Sequence, residues 1–156
     1  MSGDERLQIV SRTPRRKRRY WYPTFESSSD FEMRWWRDRY ENEPPPEDHW
    51  VSIMLGAREV ARSKYVMTGA RVDPVLGDLP HGQLDILAFE VAVPLRGKGI
   101  GRATVQAIRD RHPLPRLTAL NDGVESRKFW DGIGWIRHEP PRATLKSVER
   151  VTYSEP

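Results

Sequence analysis

Apolar positions are densest between residues 84 and 93, where only two acidic residues interrupt a hydrophobic run. The run is rich in residues that favour β-structure and ends at Pro94, which predicts a strand buried on both faces. From Ile100 to Ile108 the apolar residues recur at helical spacing, until Pro113 ends the pattern. Two glycines, Gly97 and Gly99, lie between the two segments. The pattern therefore predicts a strand, a glycine-rich turn and a helix in succession.

The same periodicities predict further strands and a further helix around this unit. Alternation of polar and apolar residues near the N-terminus is typical of an edge strand, and short apolar runs are typical of inner strands. A helical stripe containing Phe31 and Trp35 begins at Ser29 or Asp30, either of which is a good N-cap, and runs to Arg39. We therefore expect about seven strands and three helices. The patterns place further strands at residues 6–10, 50–55, 59–67, 116–121, 135–138 and 145–153, and loops at 41–48 and 72–82.

Composition limits the class of protein. A chain of 156 residues with 37% hydrophobic and 31% charged residues is long enough for one globular domain. The N-terminus does not resemble a signal peptide and no apolar run is long enough to span a bilayer, so we expect a cytoplasmic protein without membrane contact. The chain has no cysteine, which excludes disulfides, thiolate metal sites and a cysteine acyl-enzyme. Its four histidines have no ligand spacing, and we expect no metal.

The positive charge of the chain is concentrated in one segment. The net charge is +4, and six positive charges lie within Arg12–Arg19, which leaves −2 for the rest of the chain. Such a run is either a solvated or disordered arm, a patch for RNA or the ribosome, or a loop near the phosphates of a ligand. The adjacent aromatic residues Tyr20, Trp21 and Tyr22 either stack on bases or form a packed corner beside Pro23.

The glycine turn after the central strand is a candidate phosphate site. Glycines allow a close approach of the backbone to a ligand, and the first N–H groups of the following helix have no partner within the helix. A P-loop is excluded because Lys98 is followed by Gly99 and not by Ser or Thr. A dinucleotide-binding fingerprint that begins at Gly97 is a weak match, because Arg102 occupies the position of its third glycine. Asp122 nevertheless follows at a sequence separation that would allow a contact with the ribose.

The spacing Arg-x-x-Gly-x-Gly from Arg96 to Gly101, after a strand that carries Val91, resembles the acyl-CoA-binding signature of the GNAT superfamily of N-acetyltransferases. The segment from Val124 to Trp135 resembles the last helix of that family and its Gly-aromatic step. The resemblance covers residues 50–138 and hardly touches the first 45. It implies a single domain over residues 1–156, with a mixed, mostly antiparallel α/β sheet of about seven strands. It also implies helices on both faces and a splay between the two central strands.

The resemblance further implies where coenzyme A binds. The diphosphate would meet the main-chain amides of the glycine turn together with nearby basic side chains. The pantetheine arm would pair with the open edge of the central strand, where a backbone N–H would also stabilise the oxyanion. The implied cofactor-binding residues are Val91, Val93, Arg96, Gly97, Lys98, Gly99, Ile100, Gly101, Arg102, Asn121, Ser126 and Trp130.

Direct acyl transfer to an amine needs a base, because an alkylamine is mostly protonated at neutral pH. Asp85 lies at the position where many family members carry an acidic residue, and Glu90 is the second candidate for the base. Alternatively, either carboxylate forms an ion pair with a neighbouring arginine or lies on an exposed strand edge. A tyrosine that acts as general acid in the family is replaced by Trp130, which is no proton source. Water, the acceptor, Tyr65 or Tyr153 would then supply that proton.

The sequence thus predicts an acetyl-CoA-dependent N-acetyltransferase that acts on a primary amine of a small molecule or a protein. The alternative is a non-catalytic acyl-CoA-binding module, or a module associated with RNA or the ribosome that uses the basic segment. Family members often form homodimers, so a homodimer is among the expectations. The identity of the acceptor does not follow from the sequence, because the first helices and loops that would select it lack the resemblance.

Overall fold

The computed structural model of the chain describes residues 6–121, 124–139 and 151–156. Within these residues lie eleven strands, two α-helices and two short 3-10 helices. The strands are β1 (Leu7–Ser11), β2 (Arg15–Lys17), β3 (Tyr20–Tyr22), β4 (Asp48–Leu55), β5 (Arg58–Thr68), β6 (Arg71–Asp73), β7 (Gly77–Leu79), β8 (Gln83–Val91), β9 (Arg116–Asn121), β10 (Ile136–His138) and β11 (Val151–Ser154). The helices are α1 (Ile100–Arg111) and α2 (Val124–Gly132), and the 3-10 helices are Arg34–Trp36 and Val93–Leu95.

Seven strands form one mixed sheet in the order β1-β4-β5-β8-β9-β11-β10. The sheet is mostly antiparallel, with one parallel pair between β8 and β9. The fold class predicted from the sequence is therefore confirmed, and β1 is the edge strand that its alternating pattern predicts. The parallel register runs from Gln83–Arg116 to Ile86–Ala119, whereas β8 continues to Val91. This early end of the register agrees with the predicted splay between the central strands.

Burial alternates along the central strand β8 from Leu84 onwards. Its even-numbered positions from Leu84 to Glu90 are buried, and its odd-numbered positions from Asp85 to Val91 are only partly covered. Because side chains alternate across a strand, Asp85 and Glu90 point to opposite sides. The sequence predicts a strand that reaches Val93, but the strand ends at Val91. Val93 begins a 3-10 helix, and its N–H donates to the Asp30 carbonyl at 2.9 Å.

Helix α1 begins at Ile100 and ends at Arg111, as its periodicity predicts. The buried face consists of Gly101, Thr104, Val105 and Ile108. Ala103, which the sequence pattern places on the apolar stripe, is instead exposed. Its small side chain costs little when it is exposed, so the apolar pattern alone did not fix the rotation of the helix. The helix ends where the His112 N–H donates to the Ile108 carbonyl at 3.0 Å, directly before Pro113.

The chain divides into two compact units. The first contains the described residues within Met1–Tyr65 and Ala88–Pro113, and it has an aromatic core. That core consists of buried Phe31, Trp36, Ala88 and Ala92, against which lie Phe25, Met33, Trp35 and Leu95. The second unit contains the described residues within Val66–Leu87 and Leu114–Pro156. Its buried side chains include Leu84, Ile86, Leu117, Ala119, Trp130 and Tyr153.

The helix predicted between Ser29 and Arg39 is wrong, since only the single 3-10 turn Arg34–Trp36 forms there. The N–H groups of Glu32 and Met33 donate to the Glu90 carboxylate at 2.8 and 3.0 Å. A side chain from β8 thus takes the donors at the start of this segment, a tertiary contact that helical periodicity does not reveal.

Two small hairpins were not predicted. Strand β2 lies in the basic segment and pairs with β3, which follows it directly. Strands β6 and β7 pair between Arg71 and Leu79, mostly within residues 72–82, which were expected to form a loop. Of the predicted strand 145–153, residues 145–150 lie outside the described part, and β11 begins at Val151. Asp122 also lies outside it. None of the described helices is long and apolar enough to cross a membrane.

Candidate functional site

The glycine turn between β8 and α1 lies open on the surface of the first unit. Arg96, Gly97, Lys98 and Gly99 are all exposed. Gly97 and Gly99 have left-handed backbones, with φ of 78° and 81°, and a Cβ at either position would meet no atom within 4 Å. The glycines are therefore needed for the backbone conformation and not for space.

Gly99 is also the N-cap residue of α1, and no side chain caps this end of the helix. The first N–H groups of an α-helix have no acceptor within the helix, and the helix dipole adds partial positive charge at the same point. Lys98 adds a full charge beside it. An exposed helix start with left-handed glycines and a neighbouring lysine is chemically suited to hold a phosphate group.

Arg96 is anchored to the end of β8 and also reaches solvent. Its Nη2 donates to Glu90 Oε2 at 2.9 Å, and its Nε donates to the Val91 carbonyl at 3.2 Å. Half of its side chain is still accessible, at 50%. A phosphate contact from Arg96 would therefore use its remaining donors or compete with Glu90. The sequence predicts that the pantetheine arm pairs with the strand edge at Val91, where the Val91 carbonyl already accepts this hydrogen bond from Arg96.

Glu90 is a buried carboxylate with four donors around it. Besides Arg96 and the N–H groups of Glu32 and Met33, it accepts a hydrogen bond from Trp36 Nε1 at 2.8 Å. Charge-assisted hydrogen bonds of this kind are strong, and together they occupy both carboxylate oxygens. The arrangement gives Glu90 a structural role as the anchor of the segment around the 3-10 turn.

Asp85 belongs to the second unit and has a different environment. The Thr118 hydroxyl donates to Asp85 Oδ1 at 2.8 Å, and Gln83 Nε2 donates to the same hydroxyl at 2.8 Å. Arg71 in turn donates to Gln83 Oε1. Burial raises the pKa of Asp85 above its usual value, and the hydrogen bond from Thr118 only partly opposes this. A raised pKa brings a carboxylate closer to the range that a general base at neutral pH requires.

The candidates for a general acid are buried and held by partners. The Tyr153 hydroxyl donates to Asp131 Oδ1 at 2.9 Å, and the Tyr65 hydroxyl lies 2.9 Å from His112 Nε2. Burial is the main cause that raises the pKa of both phenols. Neither tyrosine is therefore poised to release a proton at neutral pH.

The predicted cofactor contacts on α2 and β9 belong to the second unit. Trp130 is buried at 3% exposure and contacts Trp135, with ring centroids 4.5 Å apart, which favours a packing role in this structure. Ser126 is half-buried on α2. Asn121 pairs with Val151 in the sheet, and its side chain lies outside the described part.

Sequence analysis missed a buried lysine in the first unit. Lys64 Nζ lies 4.9, 5.3 and 4.6 Å from the ring centroids of Trp35, Tyr40 and Trp50. Its nearest carboxylate oxygen belongs to Asp48, at 3.9 Å. Burial lowers the pKa of Lys64 below its usual value. The one sequence signal was the density of aromatic residues between positions 35 and 50, which does not indicate the cation that they surround.

Within the ranges that the structure describes, no group of three or more His, Asp or Glu side chains is arranged to hold a metal ion.

Comparison with solved structures identifies a common fold. An acetyltransferase from Thermus thermophilus superposes with a TM-score of 0.54 and 15% identity over 71% of this chain. The N-acetyltransferase YlbP of Bacillus subtilis, solved in complex with coenzyme A, superposes with a TM-score of 0.52 and 18% identity over 74% of each chain. The aligned part of this chain spans 65% of the Thermus protein. No protein-family model and no curated protein sequence matches the chain.

Proposed function

Because the chain has the fold of GNAT-type acetyltransferases, we propose that it is an acetyl-CoA-dependent N-acetyltransferase that transfers the acetyl group directly to a primary amine. The observation that carries the proposal is the exposed turn from Arg96 to Gly99, whose two left-handed glycines lead into the uncapped start of α1. This turn follows the central strand in the position where the acyl-CoA signature requires it.

The turn would bind the diphosphate of coenzyme A through main-chain N–H groups at the start of α1. Lys98 and Arg102, both exposed, would add charge-assisted contacts, and Arg96 would contribute from its position over the end of β8. The pantetheine arm would lie along the end of β8 at Val91, a half-buried residue. Val93 has no part in this, because its N–H is already bonded to Asp30.

In the proposed reaction the neutral amine attacks the thioester carbon, and the C–S bond breaks to release coenzyme A as a thiolate. Asp85 accepts the proton that the amine loses, directly or through water. A thiol has a pKa of about 8.5, so the thiolate leaves without a dedicated acid. Direct transfer also agrees with the absence of cysteine from the chain.

Two measurements test the proposal. Acetyl-CoA at millimolar concentration should raise the melting temperature of the protein, since a ligand that binds only the folded state stabilises it. A panel of small amines, peptide N-termini and lysine peptides should then include an acceptor that releases free thiol. The absence of a thermal shift would refute the proposal. A thermal shift without thiol release for any amine would favour the non-catalytic acyl-CoA-binding alternative.

A further inference from the structure

The basic segment forms an ordered hairpin. Strands β2 and β3 pair in the register Arg15–Tyr22, Arg16–Trp21 and Lys17–Tyr20, and Arg18 and Arg19 form the turn. Arg18 has a φ of 61°, a left-handed conformation that two-residue hairpin turns usually give to Gly, Asn or Asp. An arginine is strained at such a position, so the turn keeps a basic side chain at its tip at some cost in stability.

The hairpin is fixed to the rest of the first unit. The Trp21 N–H donates to the Tyr40 carbonyl at 2.8 Å, and the Tyr40 N–H donates back to Trp21 at 2.9 Å. The guanidinium of Arg39 lies 4.2 Å from the ring centroid of Tyr20. Arg12, by contrast, is held away from the hairpin because its Nε donates to the Ser52 hydroxyl at 2.9 Å. The charged surface is therefore the hairpin itself, which we call the basic hairpin (residues 15–22).

One face of the basic hairpin has two cations on β2 opposite two aromatic rings on β3. Residues directly opposite each other on paired strands share a face, so Arg15 and Lys17 lie beside Tyr22 and Tyr20. All five residues from Arg15 to Arg19 are exposed, and the tyrosines are half-exposed. In the described ranges, no ion pair engages any of these five cations.

We propose that this face of the basic hairpin binds single-stranded RNA. Unneutralised cations attract a phosphate backbone, and aromatic side chains beside them stack on unpaired bases. A membrane or an acidic protein would use the charges but not the rings, and a duplex keeps its bases stacked inside. Folded RNA presents unpaired bases in loops and ends, which proteins bind by stacking on aromatic rings and arginine planes. The guanidinium groups of Arg39 and Arg19 lie over the Tyr20 ring, 4.2 and 5.7 Å from its centroid, and provide such arginine planes.

Fluorescence anisotropy with a labelled single-stranded RNA of about 12 nucleotides, within the usual range of site sizes, tests the proposal. It is measured without acetyl-CoA over a series of salt concentrations. If about four phosphates are contacted, the logarithm of the binding constant should fall with the logarithm of salt concentration with a slope of about −2.8. The triple variant R15Q/K17Q/R19Q should reduce that slope by about two. The matched triple R6Q/R58Q/K128Q removes the same charge at exposed positions outside the hairpin and should bind like the wild type.

The aromatic part of the proposal has its own variants. Tyr20→Leu and Tyr22→Leu should each weaken RNA binding by roughly tenfold while they leave the salt slope unchanged. A duplex of the same sequence and heparin should both bind more weakly than the single strand. The proposal is overturned if the wild type does not bind RNA at low salt, or if both triple variants lose binding equally. Binding of heparin as tightly as RNA, with no effect of the tyrosine variants, would also overturn it.

The readouts separate this proposal from the proposed enzyme. Melting temperatures establish that each variant is folded, and thiol release is not needed for the RNA measurement. A protein that binds RNA but releases no thiol refutes only the acetyltransferase. A protein that acetylates an amine but does not bind RNA refutes only the role of the basic hairpin.

Discussion

At the scale of single residues, environment separates two carboxylates on one strand that the sequence offers as candidate bases. Glu90 accepts four hydrogen bonds and anchors a neighbouring segment. Asp85 is held by the Thr118 hydroxyl, and burial raises its pKa. The sequence identifies both as acidic residues in a central strand. Only their surroundings distinguish a structural anchor from a candidate base.

The variant Asp85→Asn removes the proposed base and should lower kcat by roughly 10²- to 10⁴-fold, the usual contribution of general base catalysis.

Thr118→Val removes a hydrogen bond that lowers the pKa of Asp85, so the acid limb of the pH–rate profile should move to higher pH. Thiol release measured across pH with one acceptor gives both results. Asp78→Asn, at an exposed position on β7, serves as the control. An Asp85→Asn enzyme with the wild-type rate would remove Asp85 from the mechanism.

The histidine cluster of the first unit predicts sensitivity to mild acid. His49 stacks on Tyr65, with ring centroids 5.1 Å apart, and the Tyr65 hydroxyl contacts His112. Burial is the main cause that lowers the pKa of both histidines below the usual 6.5. The unfolded chain then binds protons more readily than the folded one. The free energy of unfolding should be constant well above pH 6.5 and fall as the pH decreases from there through the lowered pKa values.

Melting temperatures at about pH 8, 6.5 and 5.5, which bracket the ordinary histidine pKa, measure this loss. The double variant H49F/H112Q keeps a ring for the stack and a partner for the Tyr65 hydroxyl but cannot be protonated, so it should lose less stability over the acidic half of that range. His81→Gln, at an exposed position, should behave like the wild type. Equal losses in the wild type and the double variant would place the acid sensitivity elsewhere in the chain.

At the scale of elements, the unit formed by β8, the glycine turn and α1 was predicted closely. Strong local signals define it: a dense apolar run, glycines at positions that require a left-handed backbone, and a helical repeat ended by Pro113. The segment from Ser29 to Arg39 has a helical stripe but lacks a helix, because Glu90 takes its first N–H donors. Local periodicity is reliable where no distant side chain competes for the backbone.

Substitution in the glycine turn tests its role in cofactor binding. Gly99→Ala forces a side chain into the left-handed region, which costs roughly 1–2 kcal/mol, and it should distort the start of α1. The KM for acetyl-CoA should therefore rise by tenfold or more with a smaller change in kcat. Gly69→Ala is a matched control, since Gly69 has no left-handed φ and no atom within 4 Å of an added Cβ. Unchanged affinity for acetyl-CoA in Gly99→Ala would argue against the turn as the diphosphate site.

At the scale of the whole molecule, two compact units share two long strands. Strands β5 and β8 each contribute residues to both units. The sequence predicts a single domain over residues 1–156. Small single domains usually unfold cooperatively, so the single-domain prediction leads us to expect one unfolding transition.

Urea unfolding followed by tryptophan fluorescence and by far-ultraviolet circular dichroism measures that cooperativity. Trp35, Trp36 and Trp50 report on the first unit, and Trp130 and Trp135 report on the second. The fluorescence and dichroism transitions should coincide, with one midpoint and one slope. Two separated transitions would show that the units unfold independently and would contradict the single-domain prediction.

The sequence by itself located most of the strands and helix α1, because the burial of apolar runs and the turn chemistry of glycine and proline act over a few neighbouring residues. Its resemblance to a known family implied how those strands form one sheet. The sequence also located the glycine turn, because glycines directly before a helical repeat indicate left-handed positions at the start of that helix. Only the tertiary structure decided the surroundings of Glu90 and Lys64 and the hairpin that includes most of the basic segment. Those outcomes depend on which donors, rings and charges meet across distant parts of the chain, and the order of residues does not record such contacts.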